Sequence, residues 1–127
     1  YVEGGIACAV PLFEDIPCES DRLVLVLTRH KGYRKKPVPE TVQRIYRRHF
    51  RNAPGLVDRL VTAPQRYNER MDKIDAREEE GKAFVIRPRK PVTVSRIEKD
   101  VEKLSALYHE GRRDAEFAYQ DLLAFLG

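Results

Sequence analysis

Cysteine is scarce in this sequence. Cys8 and Cys18 are the only two in 127 residues, nine residues lie between them, and no further Cys or His stands at metal-ligand spacing from either. That excludes a disulfide framework and a Cys/His zinc site, and it fits a reducing, cytoplasmic setting. Long apolar runs are missing as well. Ile6–Phe13 and Leu23–Leu27 are the longest, far short of the roughly 20 residues a membrane-spanning helix requires. The opening residues lack the basic start and apolar centre of a secretory signal. His30, His49 and His109 are scattered singly, and no Ser sits in a Gly-x-Ser-x-Gly setting, so the residues hold no self-contained Ser-His-Asp or Cys-His machinery. Gly4-Gly5 is followed by Ile6-Ala7-Cys8 and not by a Gly-Lys pair, which removes the common phosphate loops. The sequence therefore calls for no cofactor and no metal.

What remains is enough to fold. A chain of 127 residues with 42% hydrophobic residues fits one domain or part of one, with Leu, Ile, Val and Phe to build a core. It opens on Tyr1, not Met, and Tyr1-Val2 reads as the end of an extended apolar segment, so the expectation is a piece of a longer protein. Lys and Arg total 24 against 20 Asp and Glu, a net charge of +4. The excess is local. Between Arg29 and Arg51 nine basic residues meet a single acid, Glu40, a ribbon able to attract phosphates or lipid headgroups.

Arg22–Thr28 reads Arg-Leu-Val-Leu-Val-Leu-Thr, the run of a central strand buried on both faces of a parallel sheet. Before it, Pro11 and Pro17 limit any helix to about two turns. Gly32 and Pro37-Val38-Pro39 bound an extended loop carrying Lys31, Arg34, Lys35 and Lys36. Val42, Ile45, Tyr46 and Phe50 then form the stripe of an amphipathic helix whose other face holds Arg44, Arg47, Arg48 and Arg51. Asn52 is the expected cap of a short helix with Leu56, Val57, Leu60 and Val61, and Thr62 with Pro64 opens another. That helix carries Tyr67, Met71 and Ile74 as core, exposes Arg70, Lys73, Arg77 and Glu78, and stops at Gly81. Ala83–Arg87, set between Gly81 and Pro88, is a second strand. Either Ser95 or Asp100 caps the terminal segment, which reads as two helices or as one bent near Gly111. The pattern is α/β, with connections long enough for parallel pairing.

Glu3 is the one carboxylate in a chemically suggestive place. It follows Tyr1-Val2 and precedes Gly4-Gly5, and the carboxyl edge of a strand is where open α/β sheets hold ligands. The run Tyr1-Val2-Glu3-Gly4-Gly5-Ile6-Ala7 with Val10-Pro11-Leu12 resembles the segment of patatin-like phospholipases whose Asp-Gly-Gly supplies the acid of a Ser-Asp dyad. The Leu23–Pro37 run, Tyr67-Asn68-Glu69, Phe84–Pro88, Glu102–Leu104, Leu107, Tyr108 and Gly111 resemble the C-terminal half of a bacterial subgroup of that family, in the same order. The resemblance covers nearly the whole chain.

It implies a serine acyl hydrolase acting on lipid esters, with the nucleophile upstream of Tyr1 and a three-layer fold. Residues 1–127 would supply a few mostly parallel strands and about five helices of that fold. They divide into a catalytic-acid segment at 1–13, a basic loop and helix at 29–51, and terminal helices at 95–126. Glu3 takes the dyad position, with Gly4 and Gly5 supporting the motif. It is one methylene, or about 1.5 Å, longer than the family's Asp. For Lys31, Arg34, Lys35, Lys36, Arg44, Arg47 and Arg48 the plain reading is a solvated face. Contact with anionic lipid headgroups at the inner face of a membrane ranks next. Nucleic acid ranks last, because no recognition-fold signature accompanies the charge. The partners implied are a lipid or phospholipid substrate, an anionic membrane surface, and a second copy of the chain.

Overall fold

The computed structural model describes residues 4–16, 22–95 and 97–127. In chain order the elements are a one-turn helix α1 (Gly4–Ala7), a 3-10 turn at Phe13–Asp15, β1 (Leu23–Val26), α2 (Glu40–His49), α3 (Pro54–Glu79), β2 (Ala83–Ile86) and α4 (Val101–Leu126). They divide into two compact units, one built from Tyr1–Ser20 and Arg34–Arg77, the other from Asp21–Tyr33 and Glu78–Gly127.

In the second unit β1 and β2 pair in parallel, Leu23 opposite Ala83 and Val26 opposite Ile86. The ladder extends at both ends, where the Leu23 N–H donates to the Lys82 carbonyl at 3.1 Å and the Leu27 N–H to the Ile86 carbonyl at 2.8 Å. The chain between the strands passes through α2 and α3, the long crossover that parallel pairing needs. Both strands were legible in the sequence, but β1 is not buried on both faces. Leu25 is 8% exposed while Val24 is 38% and Val26 74% exposed, because the described sheet has two strands and no layer covers that side of β1. α4 packs on β2, with the rings of Phe84 and Phe125 at 5.6 Å. Arg22 closes this end by lying over the Phe125 ring and donating to the Phe125 carbonyl.

The first unit is organised by α3. The sequence divides this region into two helices at Thr62–Pro64, yet one helix of 26 residues runs through Pro64. Proline removes one ladder bond and crowds the carbonyl four residues back. Against that stands a continuous apolar stripe, of which Val57, Tyr67, Met71 and Ile74 are buried. Burial of that stripe outweighs the local preference to break. The helix starts at Pro54, which suits a first helical position. The Ala53 carbonyl takes the first bonds, from Leu56 and Val57 at 3.0 and 3.2 Å, so Asn52 is not the cap.

In the terminal segment the structure decides between the two readings that the sequence left open. Asp100, not Ser95, caps α4, its carboxylate accepting from the Glu102 and Lys103 N–H groups at 3.0 and 3.3 Å. The helix continues through Gly111 as one element of 26 residues. Fusing the expected helices leaves four α-helices among the described residues, not about five. The fold class is α/β with a small parallel sheet. Glycine is required where the chain turns left-handed, at Gly32 (φ +80°) and at Gly81 (φ +70°), which ends α3 as expected.

Candidate functional site

Glu3 lies outside the described residues, and the chain beyond it begins with Gly4 and Gly5 in α1. What holds this segment is a row of cations on α3. Arg66 Nη2 donates to the Ile6 carbonyl and to the Arg59 carbonyl, both at 2.9 Å. One turn further, Arg70 Nη1 donates to the Val10 carbonyl at 3.0 Å and to the Asp15 carboxylate. Asp15 also accepts the Leu12 N–H at 3.0 Å, which fixes the turn around the buried Leu12. Lys73 Nζ stands 3.5 Å from Glu14. The Arg70 guanidinium and the Leu12 N–H hold the Asp15 carboxyl below its ordinary range, and Asp15 in turn raises Arg70. The backbone N–H at Glu14 lowers that carboxyl too.

Beside this clamp is a cleft of about 260 Å³. Gly5, Ile6 and Ala9 form one side, and Arg59, Ala63, Arg66, Arg70 and Lys73 of α3 form the other with Lys35. Glu69 is the single carboxylate in the lining. Lys35 is placed from two directions. Asn68 binds its backbone on both sides, accepting its N–H at 2.8 Å and donating to its carbonyl at 3.0 Å, and its ammonium sits 4.3 Å from the Tyr67 ring centroid. Such a lining can bind an anionic group through charge-assisted hydrogen bonds.

The other basic residues separate into two kinds. In the loop, Arg34 pairs with Asp72 at 2.5 Å and Asp75 at 3.6 Å, while Lys31 pairs with Glu78 at 3.3 Å. Glu78 also holds the nearly buried Arg87 at 2.6 Å. These charges are met by acids from α3. Lys36 is exposed. On α2, Arg44 is 3.9 Å from Glu40 with both side chains in water, Arg47 donates to Gln43 at 3.1 Å, and Arg48 and Arg51 are exposed. Arg47 and Arg51 rim an apolar groove of about 430 Å³ floored by Phe50, Pro54, Val57 and Val61. Of the residues the sequence singles out, the structure therefore brings Gly5 and Lys35 to the cleft and leaves Arg44, Arg47 and Arg48 on a separate basic face.

Sequence reasoning missed Arg59 and Arg66 altogether and read Arg70 and Lys73 as solvated. Their spacing with Ala63, at steps of four, three, four and three residues, puts all five on one face of an unbroken helix. The expected break at Thr62 separated Arg59 from the rest. In the second unit, His30, Lys31, Glu78, Arg87 and Arg89 surround a hollow of about 420 Å³ beyond the carboxyl ends of β1 and β2, but Glu78 already pairs two of its cations. Among the described residues no cluster of His, Cys, Asp and Glu could hold a metal ion, and no described helix is long and apolar enough to cross a membrane.

Compared with known families, residues 53–127 match the model described as a domain of unknown function (DUF6363). No curated protein and no solved structure matches the chain.

Proposed function

The chain belongs to the DUF6363 family, and we propose, on the resemblance that its sequence bears to patatin-like phospholipases, that it is the C-terminal part of a patatin-like serine acyl hydrolase acting on lipid esters. Glu3 is the base of the dyad, and the nucleophilic Ser belongs to a preceding part of the same polypeptide. The observation that carries the reading is the clamp. Arg66 and Arg70 fix Ile6 and Val10, which follow Glu3-Gly4-Gly5 in the chain, onto α3. A dyad acid needs such fixing, because without a His to bridge the gap its carboxylate must reach the Ser hydroxyl within hydrogen-bond distance.

In this reading Glu3 takes the Ser proton as the oxygen attacks the ester carbonyl. It returns that proton to the departing alcohol, and then activates the water that releases the acyl group. The exposed Arg44, Arg47 and Arg48 of α2, with the exposed Lys36 of the loop before it, give the enzyme a basic approach to an anionic membrane surface from the cytoplasmic side. Each cation near such a surface contributes about 1 kcal/mol.

The test is ester hydrolysis by the polypeptide that includes the Ser. Glu3→Gln keeps the shape and removes the proton acceptor, so it abolishes turnover with the fold unchanged. Glu3→Asp, the family's residue, keeps or raises it. Wild-type turnover in Glu3→Gln removes Glu3 from the mechanism.

A further inference from the structure

We propose that the exposed face of α4 is a self-association surface, on which a second copy of the chain docks its own α4 antiparallel about a two-fold axis near Arg113 and Asp114. The inference is independent of the acyl hydrolase reading and of the cleft on α3.

α4 meets its own unit along one side. Phe125 packs on Phe84 of β2, and Leu122 and Ala118, one and two turns before it, are half-buried beside it. Next to that side runs a second apolar row, Val101, Leu104, Tyr108, Tyr119, Leu123 and Leu126, every member of it exposed. On a helix the six fall within about 100° of one another, as wide a stripe as a helix ordinarily buries against a core.

The order of the row identifies the occupant. Read from either end of α4 the spacing is the same, three, four, eleven, four and three residues. Turned end for end, the helix therefore sets Val101 against the partner's Leu126, Leu104 against the partner's Leu123, and Tyr108 against the partner's Tyr119. An isologous two-fold contact requires this, since the surface must fit itself. The centre of the row fits too. Gly111 and Ala115 lie on the same face, and the two-fold brings the partner's Glu116 over Gly111 and the partner's Arg112 over Ala115, long side chains against small ones. Arg112 and Glu116 pair within the helix at 2.8 Å. Antiparallel docking sets each beside the partner's opposite charge, whereas parallel docking would set Arg112 on the partner's Arg112, which is unfavourable.

The area is adequate. A stable interface takes roughly 800 Å² from each partner. The 26 residues of α4 span about 39 Å, and six large side chains along it, with the polar atoms between them, offer an area of that order. Below its dissociation constant the pair separates, and the chain unfolds as a monomer.

The experiment is sedimentation velocity on the 127-residue chain from micromolar to submillimolar concentration. Wild type should pass from monomer to dimer and no further, because a two-fold contact closes on itself. Tyr108→Glu and Tyr119→Lys each put two unpaired charges into the dimer and should raise its dissociation constant about 100-fold or more. Mixed one to one, the two variants should dimerise again, because the carboxylate of one then faces the ammonium of the other and the remaining tyrosines face each other. Recovery on mixing also shows that both variants are folded. Phe117→Glu is the control. Phe117 is as exposed as Tyr108, 66% against 67%, but it lies on the opposite side of α4 under Arg89, so the dimer should be unchanged. A wild type that stays monomeric overturns the proposal, and its sedimentation with phosphatidylcholine vesicles would make a lipid surface the occupant instead. Equal loss with Phe117→Glu, or growth beyond the dimer, overturns it in favour of nonspecific association. Dimers that survive both tyrosine substitutions, or variants that stay apart on mixing, overturn it as well, since no antiparallel two-fold then relates the copies.

Discussion

α3 and α4 are equal in length, 26 residues each, and opposite in fate. α3 buries Val57, Tyr67, Met71 and Ile74, whereas α4 buries no residue completely and leaves Val101 75%, Tyr108 67% and Leu126 57% exposed. Yet α4 is the more apolar of the two. Burial in this chain follows from what packs against a helix, and the polar helix is the one on which the candidate site is built. Its apolar stripe fixes its place, and its cationic stripe is thereby free to hold the Gly4–Ile16 segment. Each helix also crosses a residue that ordinarily breaks helices, Pro64 in α3 and Gly111 in α4.

Truncation separates the two helices most sharply. Ile74 is 0% exposed, and Ile74→Ala should cost about 2–5 kcal/mol through lost burial and a residual cavity. Leu123, 45% exposed on α4, should lose less than about 1 kcal/mol on the same change. Denaturant unfolding of both variants checks this, and equal losses would break the comparison.

Relieving the two breakers should stabilise. Pro64→Ala restores the missing N–H within α3 and should add about 2 kcal/mol, after the greater freedom of the unfolded chain is set against the helix gain. Gly111→Ala should add about 0.5–1 kcal/mol, since a Cβ there meets nothing within 4 Å. Melting temperatures of the two variants rank the effects. A destabilised Pro64→Ala would mean that the proline ring is itself part of the packing.

The smallest effect is in acid. Asp15 is held below its ordinary value in the folded chain by Arg70. What the pair contributes is therefore present above the ordinary carboxylate pKa and is lost as pH falls through the lowered one. Limited proteolysis of Gly4–Ile16 should stay slow from neutral pH down through the ordinary Asp range and rise only below it. Asp15→Asn should make cleavage fast at all pH values.

The strands were legible because their signals are local. Leu23–Leu27 is an apolar, partly β-branched run, and Ala83–Ile86 lies between Gly81 and Pro88. The amphipathic α2 and the stop at Gly81 were legible for the same reason. The continuity of α3 was not, since Pro64 is a local signal and the burial of Met71 and Ile74 that overrides it depends on tertiary packing. Losing that continuity hid the site, because Arg59 and Arg66 share a face only if no break lies between them. The loop charges were misjudged for a related reason. Arg34 meets Asp72 and Asp75, and Lys31 meets Glu78, partners some forty residues away along the chain.

The central claim is that Glu3 activates a serine in the same polypeptide, and the most direct measurement is covalent labelling of that serine by a fluorophosphonate. This probe reports nucleophile activation without requiring the right lipid. The account predicts rapid labelling of a single Ser in the wild type and labelling slower by about 100-fold or more in Glu3→Gln, with recovery in Glu3→Asp. No labelled serine in the wild type, or equal rates in wild type and Glu3→Gln, would contradict it.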